Sequence, residues 1–309
     1  KISLQFIDVR FQHCIIVNSF VHATGRYDNV LLFTLVQIRY FAKRNIQSIY
    51  VNQYKRISLI ACQISSNMHF NSIKYVYVMK STVFNLKLTE YSFGISENQI
   101  IPIFDIHKSY SVAIKQSCFQ NISGLLLHNA NWLKVINNTF KSHIYVHSIK
   151  CTLYAEITLY MSHTKFVECI SSIKDLYLGI IFSHTENKTE LHSLNATIRL
   201  NRAIFKNCGF KVSHSAFTIS KQRPNLNPTI PQTYNITFII ESCLFINNTA
   251  QNQGGSLVTG KYIHLIVTSS YFDYQSKVPD TLVDGIFIIC YGTMIANNVS
   301  LSVLQSSGK

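Results

Sequence analysis

Charged residues make up only 14% of this 309-residue chain, against 47% hydrophobic residues. So little charge with so much apolar material excludes an intrinsically disordered chain. Carboxylates are scarcest: 14 Asp and Glu stand against 28 Lys and Arg, a formal net charge of +14. No dense Lys/Arg run accompanies that excess, "AKRN" and "YKR" being the nearest. The charge therefore reads as a diffuse basic surface, suited to acidic glycans or surface proteins as partners, and no nucleic acid is expected. The longest apolar runs, "VLLFTLVQI" and "GIFIICYGTMIA", are shorter than the ~20 residues that carry a helix across a bilayer, so no membrane span is expected within the chain. A sustained three-and-four apolar spacing is missing, which argues against helices. The chain begins at Lys1 inside what already reads as a strand, as expected of a fragment whose targeting and anchoring segments lie outside it.

What is present is a repeat. Counting back from Phe245, small Cys243 lies two residues before it, Ile240 five before and Phe238 seven before. The same offsets recur before Phe11, Phe84, Phe119, Phe140, Phe166, Phe205 and Phe272, and before the aliphatic anchors Ile64 and Ile295. Positions seven and five before an anchor are apolar and two apart, which in a strand puts both on one face. A large anchor that stacks on its equivalents beside a column of small residues is what successive coils of a solenoid require. Second candidate strands follow the polar turns, in "GLLLHN", "HIYVHS", "DLYLGIIFSH", "SAFTIS" and "GGSLVTG".

The expected fold is all-β: one right-handed parallel β-helix over residues 1–309, with about ten to twelve coils and loop insertions. Anchor spacing stretches to 53 residues between Phe11 and Ile64, implying a degenerate coil near "LLFTLVQIRYF", and to 39 and 40 after Phe166 and Phe205. The segment Ser220 to Asn235 holds three of the five prolines. Proline lacks the ladder donor, so a loop leaving the cylinder is expected there.

"FINN" at Phe245 to Asn248, followed by "GGSL" at Gly254 to Leu257, resembles the FxxN and GGA[ILV] signatures of polymorphic outer membrane protein repeats. "FKNC" and "SCFQN" resemble related coils of extracellular right-handed β-helix proteins. The resemblance implies a parallel β-helix of the pectate-lyase-like class, used as a surface adhesin or secreted scaffold.

The eight cysteines contain no C-x-x-C pair, which disfavours zinc. Cys14, Cys169 and Cys208 each lie three after an anchor, and Cys62 and Cys243 each two before one. They suit small interior columns, and Cys169 and Cys208, on consecutive coils, are also disulfide candidates. Among the sequons, Asn187, Asn195 and Asn235 fall in expected loops and are the first candidates for glycosylation. Asn121, Asn207, Asn247 and Asn297 lie two after their anchors, where amides can stack into a ladder. His143 and His147 would lie roughly 13 Å apart in a strand, too far for one ion, and no metal or cofactor is expected.

β-Helices also carry polysaccharide lyases and hydrolases, whose chemistry needs clustered carboxylates or calcium. The 14 acids are scattered, and no Gly-x-Ser-x-Gly elbow occurs. The frame does bring Arg199 and Arg202 near Glu241 on the next coil. Those residues suit either a uronate site or an exposed ion pair. The expectation is a non-catalytic extracellular or cell-surface module for glycan or protein, with a lyase or hydrolase as the alternative.

Overall fold

Alternation of apolar and polar side chains produces strands throughout, and the strands stack in parallel. The computed structural model describes residues 3–7, 10–12, 21–24, 29–34, 37–39, 49–65, 68–84, 104–107, 109–120, 125–128, 132–141, 149–152, 157–168, 170–171, 179–183, 193–210, 217–222, 233–250, 257–259, 263–276, 288–290 and 292–305. Among these residues there are strands and turns and no helix. Two sheets have eleven strands each, and shorter sheets of six, three and four strands accompany them. In both long sheets the neighbours follow chain order, so each repeat of the chain adds one strand to the first sheet and then one to the second.

In the first sheet, strands such as Tyr75–Met79, Trp132–Ile136 and Thr233–Glu241 point one set of side chains inward. Ile57, Val76, Val112, Leu133, Leu159, Ile198, Phe238 and Leu265 form one buried inner column. Leu59, Val78, Ile114, Val135, Met161, Leu200, Ile240 and Val267 form the second. Full burial of such side chains stabilises by ~1.5–3 kcal/mol each.

The second sheet carries the anchors. Phe119, Phe140, Phe166, Phe205, Phe245 and Phe272 lie in one register and are all buried. Their successive ring centroids are 4.8, 4.9, 4.8, 4.9 and 4.5 Å apart, with planes within 10° of parallel. Parallel strands sit ~4.7–4.9 Å apart, so identical residues in register are brought into ring-on-ring contact by the backbone itself. Such pairs add ~0.5–1.5 kcal/mol beyond their area.

Two anchors depart from the sequence frame. The column passes from Ile64 through Val83 to Phe119. Val83 is fully buried, whereas Phe84 is only partly buried. Phe84 is therefore not the anchor; the correct offsets from Val83 are Ser81, Val78 and Val76, all buried. Ile295 is likewise displaced, lying in the first sheet beside Ile266 and 57% exposed, while Leu301 pairs with Phe272. Between Phe11 and Ile64 stands Ile38, in register with both, which completes the degenerate coil expected near "LLFTLVQIRYF".

The corner between the two long sheets explains the small column. Ala61, Lys80, Gln116, Asn137, His163, Arg202, Ser242, Ser269 and Asn298 all adopt positive φ, between 49° and 53°. Each turn before the last continues the inter-repeat ladder: the Arg202 N–H donates to the Glu241 carbonyl at 2.9 Å, and the His163 N–H to that of Asn201 at 3.0 Å. The next residue is small because its side chain faces the corner, and most of these side chains also hydrogen-bond. Ser81 Oγ accepts from the Cys62 N–H at 3.1 Å, Ser117 Oγ from Ser81 at 3.2 Å, and Asn138 Oδ1 from Ser117 at 2.8 Å. The hydroxyls return the bond to carbonyls two residues back, as Ser117 Oγ does to Lys115 at 2.9 Å. Buried backbone donors are thereby satisfied from the neighbouring repeat.

The third face is less regular. Leu125–His128, Gly179–Ser183, Phe217–Gln222 and Leu257–Thr259 form there as expected strands, while His143, His147, Gly254 and Gly255 lie outside the described residues. The expected loop at Ser220 to Asn235 is shorter than its sequence limits. Ser220 to Gln222 belong to one strand and Thr233 to Asn235 to the next, and the three prolines between them lie outside the described residues. Gly292 precedes the last strand of the first sheet, and a Cβ there would lie 2.1 Å from the Ile263 carbonyl oxygen. Any larger residue at 292 would force that backbone apart.

Candidate functional site

The outward side chains of the first sheet are the ones its packing leaves unused. Successive strands put Arg56, Tyr75, Ser111, Trp132 and Thr158 in one outward column, and Ser58, Tyr77, Ala113, Lys134 and Tyr160 in the next. Their rings and cations meet across strands. The Arg56 guanidinium sits 4.7 Å from the Tyr77 ring centre and the Lys134 ammonium 5.9 Å from that of Tyr160, while Lys74 lies 5.4 Å over Tyr75. Tyr110, just before the strand Ser111–Lys115, meets Tyr75 edge-on at 6.1 Å, and the Trp132 N–H donates to its carbonyl at 3.0 Å. Tyr110 and Trp132 are each 50% exposed.

Further along the same face, the structure brings Arg199 and Glu241 together. Arg199 Nη2 donates to Glu241 Oε2 at 2.7 Å, a diagonal contact between adjacent strands in which Arg199 is in register with Ile239. The hydrogen bond to Glu241, and then its charge, raise the pKa of Arg199. Both side chains are exposed, at 47% and 37%, so water screens the pair. Arg202 does not join it. Its Nη1 lies 3.4 Å from His163 Nε2, and the other ring nitrogen, Nδ1, lies 2.6 Å from Ser162 Oγ. The sequence frame thus identified an ion pair, and the structure separates it from the second guanidinium. Among the described residues no group of His, Cys, Asp and Glu could hold a metal ion, and no helix is long and apolar enough to cross a membrane.

The remaining singled-out residues have structural settings. Cys208 is a buried free thiol whose Sγ contacts the Lys206 and Phe166 carbonyls at 3.4 and 3.5 Å, while Cys169 lies outside the described residues. Burial pushes the Cys243 thiol up to about 11 and also raises that of Cys118. Asn247 and Asn207 form the expected amide contact, with Asn247 Nδ2 donating to Asn207 Oδ1 at 3.0 Å. Asn121 lies outside the described residues, and Asn297 falls inside a strand because its presumed anchor is displaced. Asn195 and Asn235 are not loop residues: they pair in register within the strands Ser193–Asn201 and Thr233–Glu241, with Asn235 exposed. Asn187 lies outside the described residues.

Two features escaped the sequence reading. Asn248, the last residue of "FINN", is fully buried; its Oδ1 accepts from the Cys208 N–H at 2.9 Å and its Nδ2 donates to the Phe205 carbonyl at 3.0 Å. The aromatic and basic columns of the first sheet were also missed. Their signal stands eight and six residues before each anchor, where an inward-looking frame does not read.

The chain has no match among protein-family models, curated proteins or solved structures.

Proposed function

We propose that this chain is a right-handed parallel β-helix that serves as a non-catalytic extracellular or cell-surface module, binding glycan or protein through its outer faces. The observation that carries the reading is the ring-and-cation surface on the first sheet. Its strands already bury two inner columns, so Tyr75, Tyr77, Trp132 and Tyr160 have no packing role that their outward positions require. Right-handedness follows the general rule for parallel crossovers. An extended face built from stacked repeats suits a long partner better than a small one. A secretory route would place a glycan on the exposed Asn235, away from the ring-bearing strands.

The test is the size distribution of a panel of acidic and neutral polysaccharides after long incubation with the purified protein, with and without calcium. We expect retention of at least one polysaccharide with its chain length unchanged. Chain shortening that disappears in Glu241→Gln would overturn the non-catalytic reading in favour of a lyase or hydrolase.

A further inference from the structure

We propose that the outer face of the first sheet, from Arg56–Ile60 to Ile157–Ser162, binds an anionic polysaccharide laid across the strands. Tyr75, Tyr110 and Trp132 take the sugar faces, and Arg56, Lys74 and Lys134 take its carboxylates or sulfates. The inference rests on the reading of the chain as a non-catalytic binding module for glycan or protein and adds the ligand class, the face and the residues.

Four observations converge. The first is the exposed indole. The chain has a single Trp, and it stands half exposed on a strand whose inner side is filled by Leu133 and Val135. A large ring left in water beside a second one, Tyr110, marks a recognition surface more than a packing remnant.

The second is continuity. Tyr75, Tyr110 and Trp132 belong to three successive repeats, tied by the Tyr75–Tyr110 edge contact and the Trp132-to-Tyr110 backbone bond.

The third is charge. In the whole first sheet the described strands contain one acid, Glu241, and it is already paired with Arg199. The cations near the rings therefore face no carboxylate on their own sheet. Arg56, Lys74 and Lys134 lie over aromatic rings instead, which holds their charged heads at the surface. A field of one sign over a ridge of rings attracts an anion.

The fourth is spacing. Tyr75 and Trp132 share a column with Ser111 between them. At ~4.7–4.9 Å per strand their backbones are about 10 Å apart, the reach of two sugars in an extended chain. The intervening Ser111 and the neighbouring Thr158 offer short hydroxyls where a sugar presents its own. A hydroxyl-rich polymer with lateral anions fits rings, hydroxyls and cations in that order across the strands.

The test uses the whole chain on immobilised heparin, polygalacturonate, dextran and single-stranded DNA, eluted with salt. We expect retention on heparin, polygalacturonate or both, and none on dextran; the arm that retains more strongly identifies sulfate or carboxylate. Trp132→Ala/Tyr110→Ala and Arg56→Gln/Lys134→Gln should each weaken binding by about tenfold or more. Lys165→Gln/Lys206→Gln removes the same charge from exposed positions on the second sheet and should change it by less than about twofold. Circular dichroism of each variant confirms that it is folded. Equal weakening by the two charge-removing variants would overturn the proposed site while leaving a binding module in place. Wild-type retention on dextran alone would do the same to the ligand class. Preferential retention on DNA with the same ring dependence would assign the face to nucleic acid and overturn both.

Discussion

The strands Tyr75–Met79 and Thr233–Glu241 belong to one sheet and use their rings in opposite directions. In the first, Val76 and Val78 are buried and Tyr75 and Tyr77 face out. In the second, Phe238 is fully buried and aliphatic Ile239 lies on the other side. An inward ring fills a column that every repeat must fill, so it is architectural. An outward ring in a strand whose core is already complete adds less to the fold, its contacts being with exposed cations and rings on the same face. On the proposed reading, the parity of a residue along its strand separates stability from recognition.

That contrast can be broken most severely by reversing one residue's environment. Val83 is fully buried and Phe84 is not. Val83→Asp should leave an uncompensated buried carboxylate and abolish folding, whereas Phe84→Asp should remain folded, with a loss of about 1 kcal/mol. Circular dichroism and urea denaturation check both; a folded Val83→Asp would place the column on the other parity. Next in size is Phe205→Ala, which opens a gap between Phe166 and Phe245 in the ring stack. It should cost about 3–5 kcal/mol without changing polysaccharide retention. Asn138→Ala removes the acceptor for the Ser117 N–H and the donor to the Ile114 carbonyl. About 1–3 kcal/mol should be lost, measured by the same denaturation.

A smaller effect follows from the Cys243 thiol, which burial raises to about 11. An unfolded thiol ionises near pH 8.5, so between roughly pH 8.5 and 11 the native state holds a proton that the unfolded state has lost. Cys243 therefore leaves stability intact below that window and lowers it as pH rises through it. Cys243→Ala should flatten that part of the stability profile. The smallest expected change is in Trp132→Ala, which should move stability by no more than about 0.5 kcal/mol. A loss as large as that of Phe205→Ala would make Trp132 architectural and erase the contrast.

The offsets around Phe119, Phe140, Phe166, Phe205, Phe245 and Phe272 were legible because phenylalanine recurs at one offset from the preceding strand and marks the inward parity even between aliphatic neighbours such as Leu244 and Ile246. In "YVYVMKSTVF" both parities are apolar, and only the packed structure shows that valines go in and tyrosines go out. The same ambiguity displaced Ile295 from the column that Leu301 continues. Ile38 was hidden because an isoleucine between polar residues carries no aromatic mark. The ion pair of Arg199 and Glu241 was legible because they stand six and four residues before anchors of consecutive repeats, two positions apart on one outward parity. The association of Tyr75, Tyr110 and Trp132 was not, because uneven spacing between repeats conceals which outward residues become neighbours.

The single tryptophan makes the decisive measurement direct. Titrating the folded protein with heparin and, separately, with polygalacturonate while following Trp132 fluorescence reports on the outer face of the first sheet and on nothing else. We expect a saturable change in intensity and wavelength with at least one of them, absent with dextran and reversed by salt. A polysaccharide that is retained while the Trp132 spectrum stays unchanged would contradict the assignment of recognition to the outward rings.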